Sequence, residues 1–402
     1  MHRHLLCILA ILSLFVPLQA QIEFNGTIDL EVSSGGKDSK FLGNEVAAEY
    51  KDPHLSISQI NLFGFSQVTD NFSVNTRIQF DTWGSGTLNP PKITLAVLSW
   101  EPQTSSFSLS AGRYISPFGL YPRRILSADN LFTHAPLAYD YFLNISDKRG
   151  FWPKAGESGT YGPDDVGLTT VYFGGYNTGA LFSWIIVPTV FNIDAAVTNA
   201  ALTSQRDYTN LSNYGGIIRF GFQPLIYWQQ GISVSHGTFF QKDGINSIYS
   251  NLKDFTETVI GTDLVLAHSY FELSGEAIYS IWQVPLFANA EFSREASRTL
   301  KKYNLANYSA YIDFKFEPPF LTGAYIAVRY DILKFLDSDD LKNVNGKNFN
   351  PWDNDVSRYS IAAGYKLARP VLVKIAYMDQ KTENVQTDPE DQVVRAILTV
   401  SF

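Results

Sequence analysis

The chain has 402 residues, with 31 Lys and Arg against 39 Asp and Glu and a formal net charge of −8. That acidic balance argues against nucleic acid as a partner. The single cysteine, Cys7, falls in the first 20 residues, so the rest of the chain has no disulfide, thiolate metal site or cysteine nucleophile.

Residues 1–20 hold Arg3, an apolar run from Leu5 to Val16, and then Pro17-Leu-Gln-Ala20, with no acid. This reads as a secretory signal peptide cleaved after Ala20, because a run of about 12 residues is too short for a membrane helix, which needs about 20. Beyond it the chain alternates with period two. Phe24, Ile28, Leu30 and Val32 oppose Asn25, Thr27, Asp29 and Glu31. Phe72, Val74, Thr76, Ile78 and Phe80 oppose Asn75, Arg77, Gln79 and Asp81. Ala324, Ile326, Val328, Tyr330 and Ile332 oppose Tyr325, Arg329 and Asp331, while Val371, Val373, Ile375 and Tyr377 are set against Lys374 and Asp379. The chain closes on Val394, Ala396, Leu398, Val400 and Phe402, opposite Arg395, Thr399 and Ser401, with Ile397 as an apolar intruder. Strands with one apolar and one polar face, each about ten residues long, fit a transmembrane antiparallel β-barrel with lipid outside and water within.

Connections alternate between short, as at Thr69-Asp-Asn71 or Gln223-Pro224, and long, at 33–56, 116–165, 237–254, 283–307, 333–355 and 380–391. Outer-membrane barrels have short periplasmic turns and long extracellular loops, whereas a soluble sandwich has no cause to sort its connections. Seventeen candidate strands begin near 22, 57, 72, 92, 106, 166, 179, 190, 213, 226, 255, 269, 308, 321, 356, 371 and 392. An odd number fails the parity of such barrels. Joining 179–198 into one strand bent at Pro188 gives 16; an extra strand inside 116–165 or 199–212 gives 18 as the alternative. Either number leaves an aqueous channel.

The connection at 116–165, the third outer loop on this count, is about 50 residues long, beyond an ordinary connection. Its Phe118, Tyr121, Phe132, Tyr139, Tyr141, Phe142, Phe151 and Trp152 predict a packed segment folded into the lumen. It opens on Ala111-Gly-Arg-Tyr-Ile-Ser-Pro-Phe-Gly-Leu120, which resembles the Gly-x-x-x-x-Pro-Phe-Gly stretch of the phosphate-selective porins O and P, where it follows a strand and opens the constricting loop. That resemblance implies a trimeric outer-membrane channel whose selectivity rests on ladders of basic residues.

Candidates for such a ladder at the constriction or along the lumen are Arg113, Arg123, Arg124, Lys315, Arg329, Arg358, Lys366, Lys374 and Arg395, with the later ones forming a one-sided basic wall. The acids at inward parity, among them Asp29, Glu31, Asp81, Asp263, Glu272, Glu276, Asp313, Glu317, Asp331 and Asp379, are at least as numerous, so mutual pairing is the competing account. Arg113 shares the parity of Phe107, Leu109 and Ala111; either its strand is ending or Gly112 marks a bulge that turns it inward. The acids of 337–340, with Asp353 and Asp355, read as an acidic loop rather than a Ca²⁺ site, and no metal, cofactor or catalysis is implied.

The expected function is passive diffusion of small hydrophilic solutes or ions through a bacterial outer membrane, with an anion or phosphate preference implied by the resemblance. Lipids, a homotrimer, and the barrel-assembly machinery reading Phe402 are the expected partners. A surface receptor or adhesin barrel with a plugged lumen, and a soluble secreted glycan-binding β-protein, are the alternatives.

Overall fold

The computed structural model describes residues 22–36, 52–82, 87–147, 150–151, 167–204, 214–240, 252–285, 301–344, 346, 348–383 and 391–402. The segment read as a signal peptide lies outside them, as do Lys148, Arg149 and Trp152 of the long loop.

The strands are β1 (Ile22–Gly35), β2 (His54–Thr69), β3 (Phe72–Asp81), β4 (Lys92–Trp100), β5 (Phe107–Ile115), β6 (Ile145–Ser146), β7 (Gly150–Phe151), β8 (Tyr176–Val187), β9 (Phe191–Thr198), β10 (Gly215–Leu225), β11 (Trp228–Thr238), β12 (Thr256–His268), β13 (Phe271–Val284), β14 (Tyr303–Phe316), β15 (Ala324–Leu336), β16 (Val356–Ala368), β17 (Val371–Thr382) and β18 (Asp391–Ser401). Sixteen of them pair antiparallel with their neighbours in a closed barrel; β6 and β7 pair only with each other, inside the β5–β8 connection. The seam joins β1 to β18 with Thr27 opposite Ser401, and Gly26 and Phe402 exchange backbone hydrogen bonds of 2.9 and 3.0 Å. A Cβ at Gly26 would stand 2.6 Å from the Phe402 ring, so glycine lets that ring lie on the seam.

The period of two separates the faces. Along β16, Ile361 and Tyr359 are exposed while Arg358, Ser360 and Ala362 are buried. Phe, Trp and Tyr on the outer face form two bands. At the short-turn end Trp100 lies 6.4 Å from Phe72 and 5.8 Å from Phe107, and Phe271 lies 5.0 Å from Phe316. Toward the long connections Tyr330 and Tyr359 lie 4.7 Å apart, with Tyr279, Tyr308 and Tyr377 exposed nearby along the rim. On β14, Tyr308 and Phe316 are separated by eight residues, about 26 Å along a strand and about 20 Å along the normal at a tilt near 40°. Paired aromatic girdles around an apolar band of that height are what a lipid-spanning barrel presents.

The sequence count of sixteen holds, but its repair does not. β8 and β9 are separate strands joined by a turn at Pro188, where Thr189 takes φ 62°. The strand expected from 166 is the false one. Its described residues, 167–175, are irregular, and the Leu168 and Val171 amides bond Ile145 and Ala138 inside the loop rather than the barrel wall. The β5–β8 connection therefore runs 116–175 instead of ending at 165. A short apolar run reads alike in a strand and in a packed loop, because both bury it. Asp379 is also corrected: Leu372, Lys374, Ala376, Met378 and Gln380 fill the inner face of β17, which leaves Asp379 at Tyr377's outward parity.

Candidate functional site

The β5–β8 connection folds into the barrel, and its first residues show why. Ser116 is tied by its N–H to the Gly175 carbonyl at 3.0 Å, and Phe118 is fully buried. An added Cβ at Gly261 of β12 would stand 2.8 Å from the Phe118 ring, so that glycine opens a seat for it in the wall. Gly119 takes φ +70°, and a Cβ there would stand 2.9 Å from Glu276 Oε2 and from the Tyr139 hydroxyl. Only glycine meets both demands without strain. The turn aims the Leu120 and Tyr121 N–H groups at Glu276 Oε1, each at 2.5 Å. Tyr139 and Tyr311 donate to the same carboxylate at 2.7 and 3.2 Å. A 3₁₀ turn, Tyr121–Arg124, follows and carries both arginines of the loop start. Arg124 donates to Glu272 at 2.6 Å and to Ser274 at 3.2 Å, whereas Arg123, with its side chain 49% exposed, has Asp194 at 3.6 Å.

Residues 125–136 have no regular hydrogen bonding, which leaves their carbonyls in need of donors. The wall supplies them. Lys374 Nζ donates to the carbonyls of Ser127, Asn130 and Phe132 at 2.6, 2.9 and 3.0 Å. Arg395 reaches the Thr133 carbonyl at 3.2 Å, Arg329 that of His134 at 3.3 Å, and Arg358 that of Ala135 at 3.2 Å. The Tyr325 hydroxyl bonds the Leu131 carbonyl at 2.8 Å. The cations are engaged elsewhere as well. Arg329 forks onto Asp313 at 2.6 and 2.7 Å and lies 4.3 Å over the Phe132 ring. Arg358 bonds Asp140 at 2.8 Å, and Arg395 approaches Glu31 at 3.0 Å. Ser360 Oγ and His134 Nε2 are 2.9 Å apart. Burial foremost, and then Arg358, Arg329, Arg395 and Lys374, hold the His134 imidazole well below its ordinary range, so it is neutral at neutral pH.

The returning half of the connection is fixed at the mouth. Asp353, between β15 and β16, accepts from the Asn144 N–H at 2.7 Å and the Tyr141 hydroxyl at 3.3 Å, and burial pushes its carboxyl up to about 7. Around it Phe151, Phe239, Phe240, Phe255, Trp282 and Trp352 form a dry cluster, with Phe239 and Trp282 rings 5.2 Å apart. The mouth is thus filled over β11–β16.

Open space lies across from it. One cavity of about 270 Å³ is bounded by Asp29 and Glu31 on the wall and Tyr139 and Asp140 on the loop. A second, of about 330 Å³, is bounded by Arg77, Asp81, Lys92 and Thr94 on the wall and Tyr172 and Tyr176 on the returning chain. Gln59, Ile125 and Phe173 line both, so the two adjoin between the loop and the β1–β4 wall.

Of the residues singled out from sequence, Arg329, Arg358, Lys374 and Arg395 come together, but on the loop backbone. Lys315 pairs with Glu317 at 2.7 Å near the short turns, and Lys366 is exposed near the end of β16. Arg113 keeps its outward parity: no register shift occurs where β5 pairs with β4 and β8, although Gly112 has φ +117°. Its guanidinium turns along the wall, bonding Thr178 at 3.2 Å and the Ile93 carbonyl and lying 4.7 Å over Tyr176. Sequence reading missed the anchoring roles of Glu276, His134 and Asp353 and the isolation of Arg77, since each depends on where a distant loop lies. The acidic loop is internally used: Asp339 pairs with Lys342 at 2.6 Å and Asp355 with Lys334 at 3.1 Å, and among the described residues no acid or His cluster could hold a metal.

A sixteen-stranded antiparallel barrel with an inward-folded third long connection defines the porin-like fold, and solved structures match it. The outer-membrane channel DcaP of Acinetobacter baumannii aligns with a TM-score of 0.59 at 12% identity, covering 96% of this chain and 99% of that one. The anion-selective porin from Comamonas acidovorans aligns with a TM-score of 0.57 at 10% identity, over 95% and 100%. OmpT of Vibrio cholerae in its trimer form gives 0.56 at 9% identity, over 95% and 99%. No protein-family model matches the chain, and no curated protein matches it in sequence.

Proposed function

We propose that this chain is a bacterial outer-membrane porin, a passive diffusion channel for small hydrophilic solutes or ions. The observation that carries this reading is the asymmetric lumen: the described part of the 116–175 connection is held on the β13–β18 wall, while adjoining cavities separate it from β1–β4, the first of them reaching round to Lys374 and Arg395. A barrel apolar outside and hydrated along one inner wall has the features of a pore. The two aromatic girdles speak for a membrane and against a soluble glycan-binding protein.

The resemblance at 111–120 supports an anion preference, but the basic wall after 315 is a poor source for it. Four of its cations satisfy loop carbonyls, so their charge is largely spent on structure. Arg77, which lines the second cavity, and Arg123, half exposed beside Asp194, are better placed. The trimer form of OmpT supports a homotrimer here, delivered by the signal at 1–20 and by assembly machinery that reads Phe402.

Planar-bilayer recording of purified protein tests this. The expected result is ohmic steps, with a reversal potential in a KCl gradient displaced toward that of chloride. Absence of steps returns the chain to a receptor barrel, for which the dry cluster at the mouth is the supporting feature. Arg123→Ala should displace the reversal potential toward cations, because Arg123 is half exposed. Arg124→Ala should alter it less, because Arg124 is neutralised by Glu272.

A further inference from the structure

The cavity of about 330 Å³ between β2–β4 and the returning chain combines two features. The first is Arg77, only 5% exposed, whose Nε donates to Thr94 Oγ1 at 2.7 Å. Among the described residues it has no carboxylate partner, in contrast to Arg219, paired with Asp263 at 2.5 Å, and Arg329, forked onto Asp313. The nearest acid lining the cavity, Asp81, is already engaged by Lys92 at 3.1 Å and Asn89 at 2.7 Å. A buried guanidinium without a counter-charge is costly unless something supplies one.

The second feature is a bracket of rings opposite it. Tyr172 and Phe173 rings are 4.7 Å apart, Tyr172 and Tyr176 5.0 Å, and the Tyr172 and Tyr176 hydroxyls are 2.9 Å apart. Phe173, which also packs 6.1 Å from Phe142, is 42% exposed and lines both cavities, so part of its apolar surface borders the space that Arg77 lines. Tyr176 already carries Arg113 over its ring, whereas Tyr172 and Phe173 meet at a tilt that leaves ring surface for a further flat group.

The geometry points to a binding subsite for a small aromatic monocarboxylate, its carboxylate on Arg77 and its ring against Tyr172 and Phe173. The charge of the lining favours a monoanion: Arg77 and Lys92 against Asp81 leave one positive charge, and Arg113, which lies over the Tyr176 ring, is itself bonded to Thr178 and the Ile93 carbonyl. A dianion such as phosphate would need a second uncommitted cation, and Lys92 is held by Asp81. A neutral sugar would leave Arg77 uncompensated. A planar guanidinium suits the two-oxygen fork of a carboxylate, and a cavity of this size is at the small end of ligand sites, which begin at about 300 Å³. This inference rests on the channel reading, because the cavity is a stretch of the proposed passage.

The test is calorimetric titration of the intact purified protein in detergent with benzoate, acetate, inorganic phosphate and benzyl alcohol. Benzoate should bind saturably, and each of the others about tenfold or more weakly, since each lacks either the charge-assisted bond or the ring. Arg77→Gln should weaken benzoate about tenfold or more, while Arg77→Lys should keep part of the affinity. Phe173→Ala should weaken benzoate severalfold and leave acetate unaltered, and Lys366→Gln, at the far rim, should change nothing. Heat-modifiable gel mobility shows that each variant is folded. Benzoate affinity unchanged in Arg77→Gln, or phosphate binding as tightly as benzoate, overturns the subsite. Bilayer recording of the same preparations separates the two claims: conductance without benzoate binding removes the subsite alone, and benzoate binding without conductance removes the channel alone.

Discussion

Glu276 accepts the Leu120 and Tyr121 N–H groups and the Tyr139 and Tyr311 hydroxyls, and it touches the space that Gly119 leaves empty. Glu276→Ala leaves those donors unsatisfied in a dry site, at a cost of roughly 2–4 kcal/mol. The loop start should loosen, and the measurement is a lower unfolding midpoint in denaturant together with noisier, larger conductance steps. His134 offers a pH signature. Its folded pKa is depressed, chiefly by burial and then by four nearby cations, so the unfolded chain takes up a proton first as pH falls through about 6.5. Its contribution to stability is therefore whole above that pH and is lost progressively below it. Thermal unfolding compared at pH 7.5 and pH 5 should show a drop that is smaller in His134→Gln; equal drops would remove His134 from the account.

At the scale of elements, the 125–136 stretch and the β15–β18 wall explain each other. A chain segment with seven carbonyls bonded by wall side chains, at Ser127, Asn130, Leu131, Phe132, Thr133, His134 and Ala135, needs donors at close spacing. Lys and Arg on adjacent strands offer several N–H groups each. Lys374→Met keeps the apolar stem and removes three of those bonds. It should raise single-channel conductance by widening the passage, and shift reversal potential little, because Lys374, although it borders the first cavity, is only 1% exposed and spends its three N–H groups on loop carbonyls. A large shift toward cations without a change in conductance would instead assign Lys374 to selectivity. The same logic explains the Pro188 error. Parity exposed one surplus strand, but 167–175 and 179–198 both read as strand locally, and the bonding of the Leu168 and Val171 amides within the loop separates them.

For the whole molecule, the outer surface sets the solvent. Ile312 stands midway between Tyr308 and Phe316 on the lipid side of β14, 50% exposed. Ile312→Arg places a cation near the bilayer midplane and should cost about 2–4 kcal/mol, falling to about 0–1 kcal/mol near an interface. Equilibrium unfolding in liposomes measures it, and a negligible cost would contradict the placement of the membrane between the two aromatic bands. The lumen is organised just as plainly, with a filled half under the β11–β16 mouth and open cavities facing β1–β4. That division makes the lumen narrower than a barrel of sixteen strands would otherwise leave.

The alternation of apolar and polar residues pointed to the barrel and to most inner and outer faces, Asp379 excepted, because side-chain direction in a strand is a local, period-two property that pairing only reinforces. The aromatic richness of 116–165 likewise announced a packed loop. What sequence could not settle was which lumen charges are free. Arg77 and Arg329 read alike, one inward arginine on each of two regular strands, yet one faces a cavity and the other forks onto Asp313 beneath the loop. The difference comes from the path of a connection that meets strands up to 272 residues away, as Ser127 meets Thr399. Charge is written in the sequence, but its availability to a solute is decided by tertiary packing, because desolvation and partnering depend on what the loop covers.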